Sequence, residues 1–139
     1  MNFLLDTNVV SEWKKPQPNP GVMRWLDEID EDRLFLSVVT FAELRRGAER
    51  LVAGARRRQL EEWIEVELRA RFDQRILIVD EEVANCWGRL MAASEARGRR
   101  MQLMDAFLAA TALTRGHTFV TRNIADFESA GCVVVNPWS

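Results

Sequence analysis

Four carboxylates in this 139-residue chain stand where a reactive centre could gather them. Asp6 directly follows the apolar run Phe3-Leu4-Leu5. Glu43 lies early in the amphipathic segment after Leu34-Phe35-Leu36-Ser37. Asp126 comes soon after Thr118-Phe119-Val120-Thr121, with Asn123 just ahead of it, and Asp105 opens the small-residue segment that leads into that run. Carboxylates collected in one pocket repel one another and take up protons unless a cation neutralises them. A hard divalent ion such as Mg²⁺ suits an oxygen-only donor set and needs only one or two direct carboxylates, with water completing its shell. Such an ion polarises a phosphate and lowers the pKa of bound water, so these residues suit metal-assisted hydrolysis of a phosphodiester. That chemistry needs no histidine. His117 is the only one in the chain, which removes His-based metal sites and Ser-His-Asp triads from consideration.

The elements that would position the acids follow from hydrophobic patterning. Phe3–Leu5, Leu34–Ser37, Ile76–Val79, Thr118–Thr121 and Val133–Val135 are too short for helices and rich in β-branched or aromatic residues, as expected of strands buried on both faces. The segments between them carry helical spacing. Asn19-Pro20 reads as an N-cap with proline at the first helical position, followed by Val22, Trp25, Leu26 and Ile29. Thr40 opens a helix reaching about Leu51. Leu60, Trp63, Ile64 and Leu68 mark another, Val83 to Ser94 a further one closed by Gly98, and Ala106 to Leu113 a last one stopped by Gly116. Strands alternating with helices predict an α/β fold, a three-layer α/β/α domain with a central parallel sheet, spanning residues 1–139 as one domain. Ligands of such sheets bind beyond the carboxyl ends of the strands, which selects Asp6, Glu43 and Asp126; Asp105 alone could lie at either end.

Composition narrows the function classes. Hydrophobic residues make up 47% and charged residues 29%, which excludes a disordered or fibrous chain. The net charge of −2 argues against a broadly cationic nucleic-acid coat, yet the basic residues cluster. Positions 45–58 carry a balance of +5 (Arg45, Arg46, Arg50, Arg56, Arg57 and Arg58 against Glu49), positions 27–32 carry −5, and Arg97, Arg99 and Arg100 precede Asp105. Clustered arginines can hold RNA phosphates; equally, those of 45–58 can form ion pairs with Glu61, Glu62 and Glu65 on a solvated face. Cys86 and Cys132 form no metal or disulfide motif and read as free thiols. The N-terminal apolar run is too short for a signal peptide or a membrane span, so a cytoplasmic protein without membrane contact is expected.

Four segments in register resemble the PIN domain, and in particular the VapC-type ribonuclease toxins of bacterial toxin–antitoxin pairs. They are Leu4-Leu5-Asp6-Thr7-Asn8, Ser37 to Leu44 with Glu43, Met104 to Ala112 with Asp105, and Val120-Thr121-Arg122-Asn123-Ile124-Ala125-Asp126-Phe127. Ser11-Glu12, Pro16-Gln17-Pro18 and Val135-Asn136-Pro137-Trp138 resemble the FitB-like branch. The resemblance implies an endoribonuclease dependent on Mg²⁺, or Mn²⁺, in which water attacks the RNA backbone. It carries over Asp6 and Asp105 as direct metal ligands, Glu43 and Asp126 as ligands direct or through water, and Asn8, Thr121 and Asn123 as supporting residues. Some relatives have an acid where this chain has Asn123; others pair Asn there with a later Asp, the role that falls to Asp126. The implied partners are a cognate antitoxin covering the groove near the first helices, an RNA substrate, and a second copy in a homodimer or larger toxin–antitoxin assembly.

Plainer readings stand beside these. Asp6 suits a turn cap. Thr40-x-x-Glu43 matches a capping box. Asp105 suits a helix N-terminus on electrostatic grounds. Asn123 and Asp126 read as loop and cap residues, and His117 as a surface turn residue. Trp13, Trp25 and Trp63 are the tryptophans expected at an interface. At the level of function, the alternative is a non-catalytic PIN-fold module that grips RNA or protein. A phosphoryl-transfer protein using Asp6 as acceptor is disfavoured, because Asp6-Thr7-Asn8 lacks the second acid of an Asp-x-Asp pair and Lys14 and Lys15 are the only lysines.

Overall fold

The five apolar runs pair into one parallel sheet in the computed structural model, which describes residues 1–139. The strands are β1 (Phe3–Leu5), β2 (Leu34–Ser37), β3 (Ile76–Leu77), β4 (Thr118–Val120) and β5 (Val134–Val135), in the spatial order β3-β2-β1-β4-β5. In register, Leu4 lies beside Phe35 on β2 and Phe119 on β4. Side chains of a strand alternate between faces, and the two faces build two separate cores. Phe3, Leu5, Leu34, Leu36 and Val120 point to one face, while Leu4 and Phe119, with Phe35 packed beside them, point to the other.

Helices cover both faces, giving three α/β/α layers. On the first lie α1 (Thr7–Ser11), α2 (Pro20–Glu28), α3 (Val38–Glu49) and α4 (Ala55–Glu62), which continues through a π-helical stretch (Trp63–Leu68) into α5 (Arg69–Arg71). On the second lie α6 (Glu81–Ala96), α7 (Leu103–Arg115) and α8 (Ile124–Ser129). Asn19 caps α2 by accepting from the Val22 N–H at 3.1 Å, and Pro20 takes the first helical position. Asp80 caps α6 the same way through Val83. Ala106, Ala109 and Ala112 bury one side of α7, and their small size lets it lie close to the sheet. Gly116, at φ +68°, reverses the chain in the left-handed conformation that glycine adopts without strain. Glu12, only 2% exposed, accepts from the Asn19 N–H and pairs with Lys15, fixing the loop between α1 and α2.

Three expectations change. Trp63 is buried, and Trp13 and Trp25 pack partly buried against the same core: Trp25 meets Phe3 edge-on at 5.1 Å, and Trp13 leans on Phe72 under the Arg71 guanidinium. The rings supply large apolar surface to the core beneath α2 and the π-helical stretch. His117 is half-buried rather than a surface residue, with its ring edge-on to Phe35 at 4.6 Å and its Nδ1 bonded to the Arg115 carbonyl. Burial holds its pKa below the usual histidine range. Finally, α3 starts at Val38, two residues ahead of Thr40, because Ser37 is the N-cap and accepts from the Val39 N–H at 3.0 Å.

The chain leaves β1 toward β2 on one side, while β4 occupies the other. The sheet order therefore reverses between β1 and β4. In open α/β sheets the crevice beyond the carboxyl ends at such a reversal is where ligands bind.

Candidate active site

Asp6 stands at this crevice. Its backbone N–H donates to the Val120 carbonyl at 2.9 Å, extending the β1–β4 pairing by one residue. Its carboxylate is 7% exposed and holds two short hydrogen bonds: Oδ1 accepts from the Thr7 N–H at 2.7 Å, and Oδ2 accepts from the Thr121 hydroxyl at 2.7 Å. Asp6 thus does cap α1, and each of its oxygens still keeps a lone pair for a further partner. Burial pushes its pKa up to about 6 against the hydrogen bonds from Thr121 and Thr7, and the charges of Asp105 and Glu43 add to the rise.

Glu43 does not make the capping box. Its Oε1 accepts from the Thr7 hydroxyl at 2.7 Å. Thr7 Oγ1 also lies 3.0 Å from Thr40 Oγ1. A hydroxyl has one proton, and here it goes to the carboxylate, so the buried Thr40 donates to Thr7. Thr7 therefore ties Asp6 to Glu43, through its N–H to one and its hydroxyl to the other, and Thr40 sets the direction of the second bond. Sequence reading assigned neither threonine this role. The available signal was helical spacing: Thr40 and Glu43, three apart on α3, share a face.

Asp105 sits in the first turn of α7. That helix feeds β4 and runs back along the sheet, so its first turn lies at the carboxyl edge. The topology answers what spacing left open. Burial raises the Asp105 pKa to about 6, with the charges of Glu43 and Asp126 contributing. Asp126, in α8, is held at the rim: Oδ2 accepts from Asn123 Nδ2 at 2.9 Å, and Oδ1 lies 3.7 Å from Arg99 Nη2. Thr121 links this corner to Asp6, since its Oγ1 also accepts the Asn123 N–H at 3.0 Å. Asn8 departs from expectation. It makes no hydrogen bond to the acids, and its buried Oδ1 has no partner.

A cleft of about 620 Å³ opens beside Glu43, with Thr7, Lys14 and Arg56 on its walls and Leu44 and Trp63 among its apolar lining. The 45–58 arginines divide. Arg45 bridges Glu61 and Glu65, and Arg57 bridges Glu49 and Glu61, whereas Arg56 pairs with no acid and faces the cleft.

No three acidic, histidine or cysteine side chains approach closely enough to cage a metal by themselves. The donor set nevertheless fits an ion bound by two carboxylates and water. Asp6 is buried and Asp105 half-buried, burial and neighbouring acids raise the proton affinity of both, and they offer only hard oxygen atoms.

The PIN domain family matches residues 3–131. Across 98% of this chain and 98% of theirs, the sequence is 42% identical to the plasmid stability protein StbB of Pseudomonas syringae pv. tomato and 38% identical to toxin FitB of Neisseria gonorrhoeae. It is 36% identical to VapC ribonuclease Y4jK of Sinorhizobium fredii over 98% of this chain and 97% of that one. Among solved structures, FitAB bound to an IR36 DNA fragment superimposes with a TM-score of 0.91 at 37% identity, covering 99% of this chain and 96% of that one. VapBC-5 of Mycobacterium tuberculosis, a member of the VapBC family of toxin–antitoxin systems, does so at 0.70 and 28% identity, covering 99% and 98%. Match, identity and fold agree over nearly the whole length: the chain belongs to the PIN domain family.

Proposed function

We propose that this chain is an endoribonuclease, the toxin of a toxin–antitoxin pair, that hydrolyses RNA phosphodiester bonds with the help of Mg²⁺ or Mn²⁺. One observation carries the proposal: Asp6 and Asp105, distant in sequence, both lie at the carboxyl edge of the sheet, where the charge of Asp105 adds to the rise of the Asp6 pKa, Glu43 acts on both acids and Asp126 acts on Asp105. The naming of a relative as a VapC ribonuclease supports the reaction class, and the FitAB and VapBC-5 complexes support an antitoxin partner.

A divalent ion held by Asp6 and Asp105, with Glu43 and Asp126 reaching it directly or through water, would polarise the scissile phosphate and acidify water. The chain's own residues do the rest. Thr7 and Thr121 fix the Asp6 carboxylate from both sides, so it meets the substrate without reorganising. Glu43 is anchored by Oε1, which leaves Oε2 to orient the attacking water and accept its proton. Asn123 holds Asp126 at the rim. An antitoxin segment entering the cleft beside Glu43 would cover the acids. The proposal includes a single domain acting in the cytoplasm and a homodimer. No helix is long and apolar enough to cross a membrane.

The test is cleavage of RNA by the purified chain. Cutting should require Mg²⁺ or Mn²⁺, stop in EDTA, and be lost in Asp6→Asn and Asp105→Asn with folding intact. Undiminished cutting in EDTA, or by both variants, overturns the metal assignment. Metal-independent RNA binding with no turnover would instead indicate a binding module.

A further inference from the structure

The turn between α6 and α7 is a built element rather than a loose loop. Gly98, at φ +75°, ends α6 in a left-handed turn. The Gly98 N–H donates to the Glu95 carbonyl and the Arg99 N–H to the Ser94 carbonyl, both at 3.0 Å, the paired bonds of a Schellman motif. Two residues on, the N–H of buried Met101 donates to Ser94 Oγ at 3.1 Å, and that hydroxyl donates back to the Met91 carbonyl. The backbone from 97 to 101 is thereby held at both ends.

This turn displays Arg97, Arg99 and Arg100 around a hollow of about 220 Å³ that Gln102, Ser129 and Asp126 complete. The guanidinium groups are poorly neutralised. Arg97 pairs with no acid; Arg99 meets Asp126 and Arg100 meets Glu95 only at 3.7 Å, beyond hydrogen-bond length. Each keeps free donors in the fork geometry that matches phosphate oxygens. Gln102 spends no side-chain bond on capping α7. Asp126, on the hollow's wall, is also a charge neighbour of Asp105, so the hollow adjoins the acidic corner.

We infer that Arg97, Arg99 and Arg100 form a phosphate clamp that grips the RNA backbone beside the scissile bond, on the Asp126 side of the acidic site. The clamp rests on the ribonuclease reading for its ligand. It resolves a physical difficulty: a pocket of carboxylates repels a polyanion, and arginines carried on a well-held turn next to it offset that repulsion where the strand must pass.

The test is fluorescence anisotropy of a fluorescein-labelled, mixed-sequence single-stranded oligoribonucleotide, titrated with the full chain in EDTA over a range of salt. The Arg97→Gln/Arg99→Gln/Arg100→Gln variant should bind more weakly, and its plot of log affinity against log salt should flatten by about 0.7 for each phosphate no longer neutralised. The corresponding triple Lys variant should keep the wild-type slope. Arg97→Gln alone, which breaks no ion pair, should show part of the effect, and thermal melting checks that each variant is folded. A wild-type slope in the triple Gln variant overturns the clamp, as does an equal loss in the Gln and Lys variants. Wild-type cleavage in Mg²⁺ is scored separately. An arginine-dependent slope without cleavage keeps the clamp and refutes the ribonuclease; cleavage with an arginine-independent slope does the reverse.

Discussion

The Thr121 hydroxyl donates to Asp6 Oδ2 at 2.7 Å across a sequence separation of 115 residues. This bond joins the ends of β1 and β4 at the point where the sheet order reverses. It also opposes the burial that raises the Asp6 pKa. Thr121→Val keeps the shape and removes the donor. Divalent-ion affinity, measured by isothermal titration with Mn²⁺, should fall by about 10- to 100-fold, the usual effect of losing a bond that orients a ligand. Thr121→Ser should restore it. Equal affinity in all three proteins would count against Thr121 as a support for Asp6.

Thr40 acts one bond further out. Its hydroxyl donates to Thr7, which commits the Thr7 proton to Glu43. In Thr40→Val that commitment is lost. Stability should drop by about 1 kcal/mol, and kcat by about 10- to 100-fold with KM little changed, because Glu43 loses its orientation while the substrate is still held. Thr40→Ser should recover kcat. A change confined to KM would rule out this role.

The paired acids give the metal-free protein a pH signature. Asp6 and Asp105 each rise from 3.8 to about 6 on folding, so the folded chain retains protons that the unfolded chain releases in that interval. Their stabilising contribution is full below about pH 3.8, falls as pH rises, and is gone above about 6. His117, whose pKa is lowered by burial, works the other way and destabilises the fold in acid below its unfolded value of 6.5. Comparison of variants isolates the acids: in EDTA, the Tm of Asp6→Asn minus that of wild type should grow from pH 4 to pH 7. Added Mg²⁺ should raise the wild-type Tm more at pH 7 than at pH 5. A difference that stays flat with pH would contradict the burial of Asp6 as an uncompensated acid.

Gly21 has a packing reason to be glycine. A Cβ there would fall 2.6 Å from the Pro137 carbonyl oxygen, where the C-terminal segment lies over the start of α2 and Asn19 Nδ2 donates to the Ser139 carbonyl. Gly21→Ala should cost about 1–3 kcal/mol in urea unfolding. Removing Pro137–Ser139 from that variant should shrink the loss relative to the same truncation of wild type. Unchanged stability in Gly21→Ala would show that the segment does not dock there.

Hydrophobic periodicity located all five strands and the longer helical segments, because burial on both faces leaves short apolar runs and because Asn19-Pro20, Gly98 and Gly116 punctuate the chain with known geometry; the short α1 and α8 escaped it, having too few turns to show a period. It misplaced the start of α3, where Ser37 and Thr40 are both able to cap and only packing selects Ser37. It left His117 on the surface, since nothing local announces the Phe35 ring that covers it.

The candidate site divides the same way. Residue types and their places after strands determined which acids to consider, because an open parallel sheet presents its carboxyl edge to ligands whatever its details. Only the tertiary structure decided that Asp105 belongs to that edge, that Thr7 and Thr40 serve Glu43 while Asn8 Oδ1 has no partner, and that Arg56 and Arg97 stay free of acids while Arg45 and Arg57 are paired. The physical reason is range. Propensity and capping act over a few residues, whereas hydrogen bonds and charge pairing join whatever the fold brings within a few ångströms, as Thr121 and Asp6 show.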